Sequence, residues 1–211
     1  MRLYRGLRCD YGVNQIAIDA LKKTFEQTPD KDKSGIIIFD EVKLRMSVNF
    51  NYEKVKFDGY VNLGESMPDD SKHQLADHAL VYIFVPLTYN WIQPVAVYAS
   101  YNAAPGDILA KILLQVIQQL ENAGAKVVGF TCDGSTSNKK AWKDLGISGN
   151  SRNPCNSIPH PFDFTRCLYA FTDPPHLIKC IRNNLLSHKT CQVIKCLQKI
   201  SFFPFSTLII I

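Results

Sequence analysis

Two aspartates occupy matching places in the chain. Asp40 follows the apolar run Ile36-Ile37-Ile38-Phe39, which begins after Gly35, and Asp133 follows Val127-Val128-Gly129-Phe130-Thr131-Cys132. An apolar, largely β-branched run bounded by glycine reads as a strand buried on both faces. In open α/β sheets ligands collect beyond the carboxyl ends of the strands, so two such strands side by side would bring Asp40 and Asp133 together. Facing carboxylates suit a hard divalent cation, which prefers oxygen donors. Glu41, next to Asp40 on the same strand, points to the opposite face and is a poor substitute. Asp133 also has a plainer reading, because Gly134 and a helical pattern from Ser135 follow it and an aspartate there can cap a helix.

A second group lies further on. His176, Lys179 and Arg182 are spaced i, i+3 and i+6, which sets them along one side of a helix where they could grip phosphates. The same spacing equally suits an ordinary solvated face. Asp173-Pro174-Pro175 opens that helix, with Asp173 as the expected N-cap and Pro174 at the first helical position.

The elements that must position these residues follow from periodicity. Val13 to Gln27 carries apolar residues at helical spacing, with Asn14 as a cap, and Pro29 to Ser34 is a polar loop. Beyond Asp40, Val42, Leu44 and Met46 alternate with Lys43, Arg45 and Ser47, which extends the strand with one wet face. Asn49 to Asn51 reads as a turn, Lys56 to Leu63 as a short returning strand, and Gly64 to Asp77 as a loop. His78 to Pro86 and Trp91 to Ser100 are two strands joined tightly enough to be antiparallel neighbours. Pro105 to Asn122 is the clearest helix, with Pro105 in its first turn and Gly124 at its end, and it feeds the Asp133 strand as a right-handed crossover. Ser135 to Leu145 is a further helix, Gly149 to His160 a loop, Cys167 to Phe171 a last strand, and Asp173 to Leu186 a final helix. The result is an α/β chain with a mixed sheet.

Composition narrows the class. A hydrophobic share of 46% over 211 residues supplies a core for one large domain. The net charge of +5 permits a nucleic-acid partner without requiring one. Seven cysteines with no paired Cys-x2-Cys spacing support neither a zinc finger nor a disulfide framework, and a reducing compartment is expected. There is no signal peptide pattern, and the apolar run Phe202 to Ile211 is too short to span a bilayer, so no membrane partner is expected. A chain that stops on Leu-Ile-Ile-Ile reads as cut within a fold.

Three antiparallel-type strands, a helix, a strand ending in an acid, a helix and another strand make the core order of the RNase H-like fold. Particular residues carry the likeness further: Ile38 to Arg45, Phe57-Asp58-Gly59-Tyr60-Val61, Gln93-Pro94, Cys132-Asp133-Gly134 with Asn138, Leu145-Gly146, and Asp173-Pro-Pro-His176-Leu-Ile-Lys179-Cys-Ile-Arg182-Asn183-Asn184-Leu185-Leu186. The ordered set resembles the P-element-type transposases and the THAP-domain proteins derived from them, over about Gly6 to Leu186.

The resemblance implies an RNase H-like mixed sheet flanked by helices and truncated before the final acidic helix. It divides the chain into an N-terminal amphipathic helix and linker (1–33), the N-terminal part of the RNase H-like domain (34–172), and a helix leading into a truncated nucleotide-binding insertion (173–211). It makes Asp40 and Asp133 the first two catalytic acids, holding Mg2+ or Mn2+ for two-metal cleavage and transfer of DNA strands. The third acid would lie beyond the insertion, which leaves this chain inactive alone. GTP would enter only through the missing insertion. The implied partners are DNA at transposon ends and a further copy of the full-length protein, and the implied location is the nucleus. The Cys and His spacing of a zinc-binding THAP module is nowhere in these residues. The alternative is a domesticated or relic module that binds DNA or protein without catalysis. Residues 187–211 depart from the family pattern.

Overall fold

The computed structural model describes residues 10–52, 55–64, 73–150 and 153–187. A short strand β1 (Gly12–Val13) precedes helix α1 (Gln15–Gln27). Asn14 starts that helix: its side-chain oxygen accepts from the Ala17 N–H at 3.2 Å, satisfying one amide that the first turn leaves open. Ala17, Ile18, Leu21 and Phe25, three and four residues apart, form the buried stripe.

A 3-10 turn at Asp30–Asp32 then leads into β2 (Ser34–Lys43). In chain order follow β3 (Asn49–Asn51), β4 (Lys56–Asp58), β5 (His78–Pro86), β6 (Gln93–Ser100), α2 (Gly106–Asn122), β7 (Lys126–Cys132) and α3 (Thr136–Asp144). The described chain ends with β8 (Ser148–Asn150), β9 (Asn153–Cys155), β10 (Ser157–Pro159), β11 (Cys167–Thr172) and α4 (Pro174–Ser187).

Seven strands share one sheet in the order β1-β6-β5-β2-β7-β11-β10. β5 runs antiparallel to β2 and to β6, whereas β7 runs parallel to β2 and β11 parallel to β7. Three central strands therefore point the same way, and their carboxyl ends open on one edge of the sheet. The mixed α/β sheet expected from the sequence is the one observed. Each parallel pairing is reached through a helix, as parallel strands require.

The core lies on one face of this sheet. Ile37 and Phe39 of β2, Leu80, Tyr82 and Phe84 of β5, and Phe130 of β7 are buried there beneath Ile108, Leu109, Ile112, Leu113, Val116, Ile117 and Leu120 of α2. Phe39 stacks on Tyr82 with ring centroids 4.9 Å apart, and Phe25 of α1 meets Phe84 edge-on at 5.9 Å. Burying each of these large side chains is worth about 1.5–3 kcal/mol, so the sheet is held against α2 mainly by the side chains on its buried face. Gly35 is part of that packing: a Cβ there would lie 2.3 Å from the Phe84 ring.

Several local expectations differ. The strand through Asp40 stops at Lys43, where its partner β5 begins at His78. Leu44 still donates to the Asp77 carbonyl at 2.6 Å, but Leu44, Met46 and Val48 are exposed and unpaired with the sheet. Asn49–Asn51 is a strand, paired antiparallel with Lys56–Asp58 in a separate hairpin, and the rest of the expected returning strand contributes only isolated bridges at Tyr60 and Asn62. The expected loop from Gly149 to His160 contains β9 and β10. Pro105 sits at the cap position of α2, one residue before its first turn. Most of the Gly64 to Asp77 loop and all of 188–211, including the apolar run from Phe202, lie outside the described residues.

Candidate active site

The pairing of β2 with β7 ends at Ile38 with Thr131. Continued two residues along both strands, that register would set Asp40 beside Asp133. Neighbouring strands lie about 4.8 Å apart, so the two acids both stand at the carboxyl edge of this strand pair. Phe39 and Cys132, one residue earlier on each strand, are buried on the core face, and Asp40 is exposed. Glu41 turns the other way, where its Oε1 accepts from the Ala104 N–H at 2.8 Å. Burial pushes the Glu41 carboxyl above its ordinary range against that hydrogen bond, and the nearby charges of Asp133 and Asp40 push in the same direction.

The turn after β7 settles how Asp133 is used. Ser135 is the cap of α3, its hydroxyl accepting from the Asn138 N–H at 3.3 Å. Asp133 is thereby released from the capping role its position suggests. Its Oδ1 accepts from the Ser135 N–H at 3.0 Å and from the Asn138 side-chain amide at 2.7 Å. Burial favours the neutral acid, but these hydrogen bonds outweigh it and, with the charge of His176, hold the carboxyl below its usual value. An ionised Asp133 is the form a cation ligand requires. Asp40 is fixed from one side too, Oδ1 accepting from the Glu41 N–H at 2.8 Å. Cys132 is a free, buried thiol pushed up to about 12 by burial, and it acts as packing rather than as a nucleophile.

A third carboxylate reaches the same edge. β11 pairs with β7 up to Thr172 with Cys132, so the next residues, Asp173 and Asp133, are level. Asp173 caps α4 as expected: its Oδ2 accepts from the His176 N–H at 3.3 Å and its carbonyl from the Leu177 N–H at 3.0 Å. It also meets the His176 ring, Oδ2 to Nδ1, at 2.6 Å. Asp40, Asp133 and Asp173 all act electrostatically on Cys132. Sequence reasoning placed Asp173 as a cap and missed its alignment. The available signal was an acid directly after an apolar run, the same pattern that singled out Asp40.

Of the basic residues expected to grip phosphates, the structure brings His176 to the acid edge. Lys179 and Arg182 are exposed one and two turns further along α4, and the Arg182 guanidinium donates to Asn183 Oδ1 at 3.1 Å. Lys139 of α3 lies closer, with its Cε 3.8 Å from where a Cβ on Gly134 would stand.

The donor set fits a divalent cation in part. Two carboxylates, each oriented by hydrogen bonds from the chain, match the small number of protein ligands that Mg2+ takes when a phosphate and waters complete its shell. Among the described residues no group of three His, Cys, Asp or Glu side chains is placed to hold a metal by itself.

A family model, the TNP-like RNase H N-terminal domain, matches residues 9–146. The chain belongs to that family. The chain is 29% identical over 184 residues to the transposable element P transposase of Drosophila melanogaster, covering 86% of this chain and 21% of that protein. It is 22% identical over 183 residues to the DNA transposase THAP9 of Homo sapiens, covering 87% of this chain and 20% of that one. The solved Drosophila P element transposase strand transfer complex contains a chain matching with a TM-score of 0.67 and 25% identity, over 86% of this chain and 35% of that chain. The chain thus spans about one fifth of the length of the curated relatives it matches. The RNase H-like fold and the transposase lineage expected from the sequence are both shown. No helix among the described residues is long and apolar enough to cross a membrane.

Proposed function

We propose that this TNP-like domain is the N-terminal part of a DNA transposase catalytic centre, in which Asp40 and Asp133 hold Mg2+ or Mn2+ at a DNA phosphodiester. The observation that supports this most is the parallel pairing of β2 with β7, whose register, continued two residues, brings the two aspartates level. When bound, the cation supplies charge neutralisation and Lewis acidity at the phosphoryl group under attack. The chain's own contribution is positional. Asn138 and Ser135 keep Asp133 ionised and aimed, the β2 backbone fixes Asp40, and the buried core face beneath both carboxylates keeps their spacing rigid. Lys179 and Arg182 on α4, with His176, supply phosphate contacts that carry no sequence information and fix the position of the duplex.

The same reading places residues 34–172 in the N-terminal part of the RNase H-like domain, after an N-terminal helix and linker, and takes 173–211 as the approach to a nucleotide-binding insertion. GTP would bind through the rest of that insertion. The DNA partner is a transposon end, a second copy joins in the full-length protein, and the working location is the nucleus. A third acid supplied from outside this chain would complete the site.

A second reading, a relic that binds DNA or protein without catalysis, is favoured by one observation: no three metal-ligating side chains converge among the described residues. A Mn2+ titration of the chain, followed by loss of the free-ion paramagnetic signal, separates the two. Binding abolished in both Asp40→Asn and Asp133→Asn supports the metal pair. Binding unchanged in either variant refutes it.

A further inference from the structure

We propose that Asp173 and His176 form an oriented pair within the acid site, with His176 Nε2 presented to the phosphodiester that lies against Asp133. This deepens the reading above and rests on it for the identity of the substrate.

The placement follows from the sheet. The β7–β11 register, which ends at Thr172 with Cys132, carries Asp173 to the level of Asp133 on the adjoining strand, and the ring contact with Asp173 holds His176, in the first turn of α4, beside it. A carboxylate can only accept, so in the 2.6 Å contact with Asp173 Oδ2 the imidazole Nδ1 carries the hydrogen. That fixes the tautomer and the ring plane, and it leaves Nε2 free to face away from Asp173. Histidines that bind metals or phosphates are commonly set in this way by a carboxylate at the other ring nitrogen. The charge of His176 favours the ionised form of Asp133, in keeping with a ring held at Asp173 on the adjoining strand. Capping alone does not call for this arrangement. A cap needs a side-chain oxygen for a backbone N–H, and Asp173 already provides one to the His176 N–H. The second contact, to the ring, is additional.

The cap and the pair can be separated because asparagine caps helices as well as aspartate does but does not supply the carboxylate. With the 211-residue chain, fluorescence anisotropy of a labelled DNA duplex in EDTA is expected to show affinity reduced about tenfold in both Asp173→Asn and His176→Gln, the size of one lost hydrogen bond to a charged group. The thermal midpoint of Asp173→Asn is expected to stay at the native value. In proton NMR, the imidazole signal missing from His176→Gln is expected to broaden when Mn2+ is added to the native chain and to stay sharp in Asp133→Asn. Native DNA affinity in Asp173→Asn, or no measurable DNA binding by the native chain, overturns the proposal. So does a sharp His176 signal in native chain that binds Mn2+, a result that leaves the metal pair standing. Weakened DNA binding in Asp173→Asn without any Mn2+ binding keeps the pair and removes the metal reading.

Discussion

The Asn138 amide donates to Asp133 Oδ1 at 2.7 Å and to the Asp133 carbonyl at 3.3 Å, so one side chain on α3 clamps the acid at both its carboxylate and its backbone. Asn138 is only 8% exposed, which keeps water from replacing it. Asn138→Ala is expected to raise the Asp133 pKa toward its ordinary value and to weaken Mn2+ binding about tenfold, as loss of a ligand's hydrogen-bond partner does. Carbon-detected NMR titration of the Asp133 carboxyl, together with Mn2+ titration, checks both effects.

Glu41 provides the opposite case. It neighbours Asp40 in sequence, yet it serves the Ala104 backbone on the other face of β2. Glu41→Gln keeps an acceptor for that N–H and removes a charge that the protein already disfavours. Mn2+ affinity is expected to stay within about threefold of native, since a screened charge at this remove is worth a few tenths of a kcal/mol. A loss as large as that of Asp40→Asn would show that Glu41 is a ligand.

Gly129 governs the spacing of the two acid-bearing strands β7 and β11. A Cβ there would stand 2.6 Å from both the Phe171 ring and the Tyr169 carbonyl, and the carbonyl cannot rotate away. Gly129→Ala is expected to cost about 1–3 kcal/mol in urea denaturation, the usual penalty for overpacking. DNA affinity should fall with it, because the strand pair that levels Asp173 with Asp133 is forced apart.

Acid sensitivity is expected in two stages. His160 is fully buried, with Nε2 3.3 Å from Glu121 Oε1 without forming a hydrogen bond to it. Burial, aided by Arg166, lowers its pKa from 6.5 against the pull of Glu121 and Asp163. The unfolded chain therefore takes up that proton first, and stability present above pH 6.5 declines as pH falls toward the folded value. Asp133, lowered from 3.8, repeats the pattern below that pH. Urea midpoints measured from pH 7.5 downward check this, and His160→Asn is expected to flatten the first decline while leaving the second.

Much of this protein is written locally. The apolar run of β2, the stripe of α2, the Asn14 and Asp173 caps and the glycine after α2 are consequences of side-chain period and backbone preference, which act within a few residues. They were legible, and with them the candidacy of Asp40 and Asp133. The short strands β3, β9 and β10 were not, since three residues carry no period to read, and their pairing depends on what lies beside them.

The tertiary structure decided the neighbours. That Ser135 and not Asp133 caps α3, that Asn138 turns back onto the acid, and that Asp173 stands level with Asp133 all depend on the register between strands β7, β2 and β11 and on the turn that follows β7. Register is set by how whole faces bury against α2, a sum over residues far apart in the chain. The sequence by itself therefore determined which residues have the chemistry, and only the packed sheet determined which of them meet.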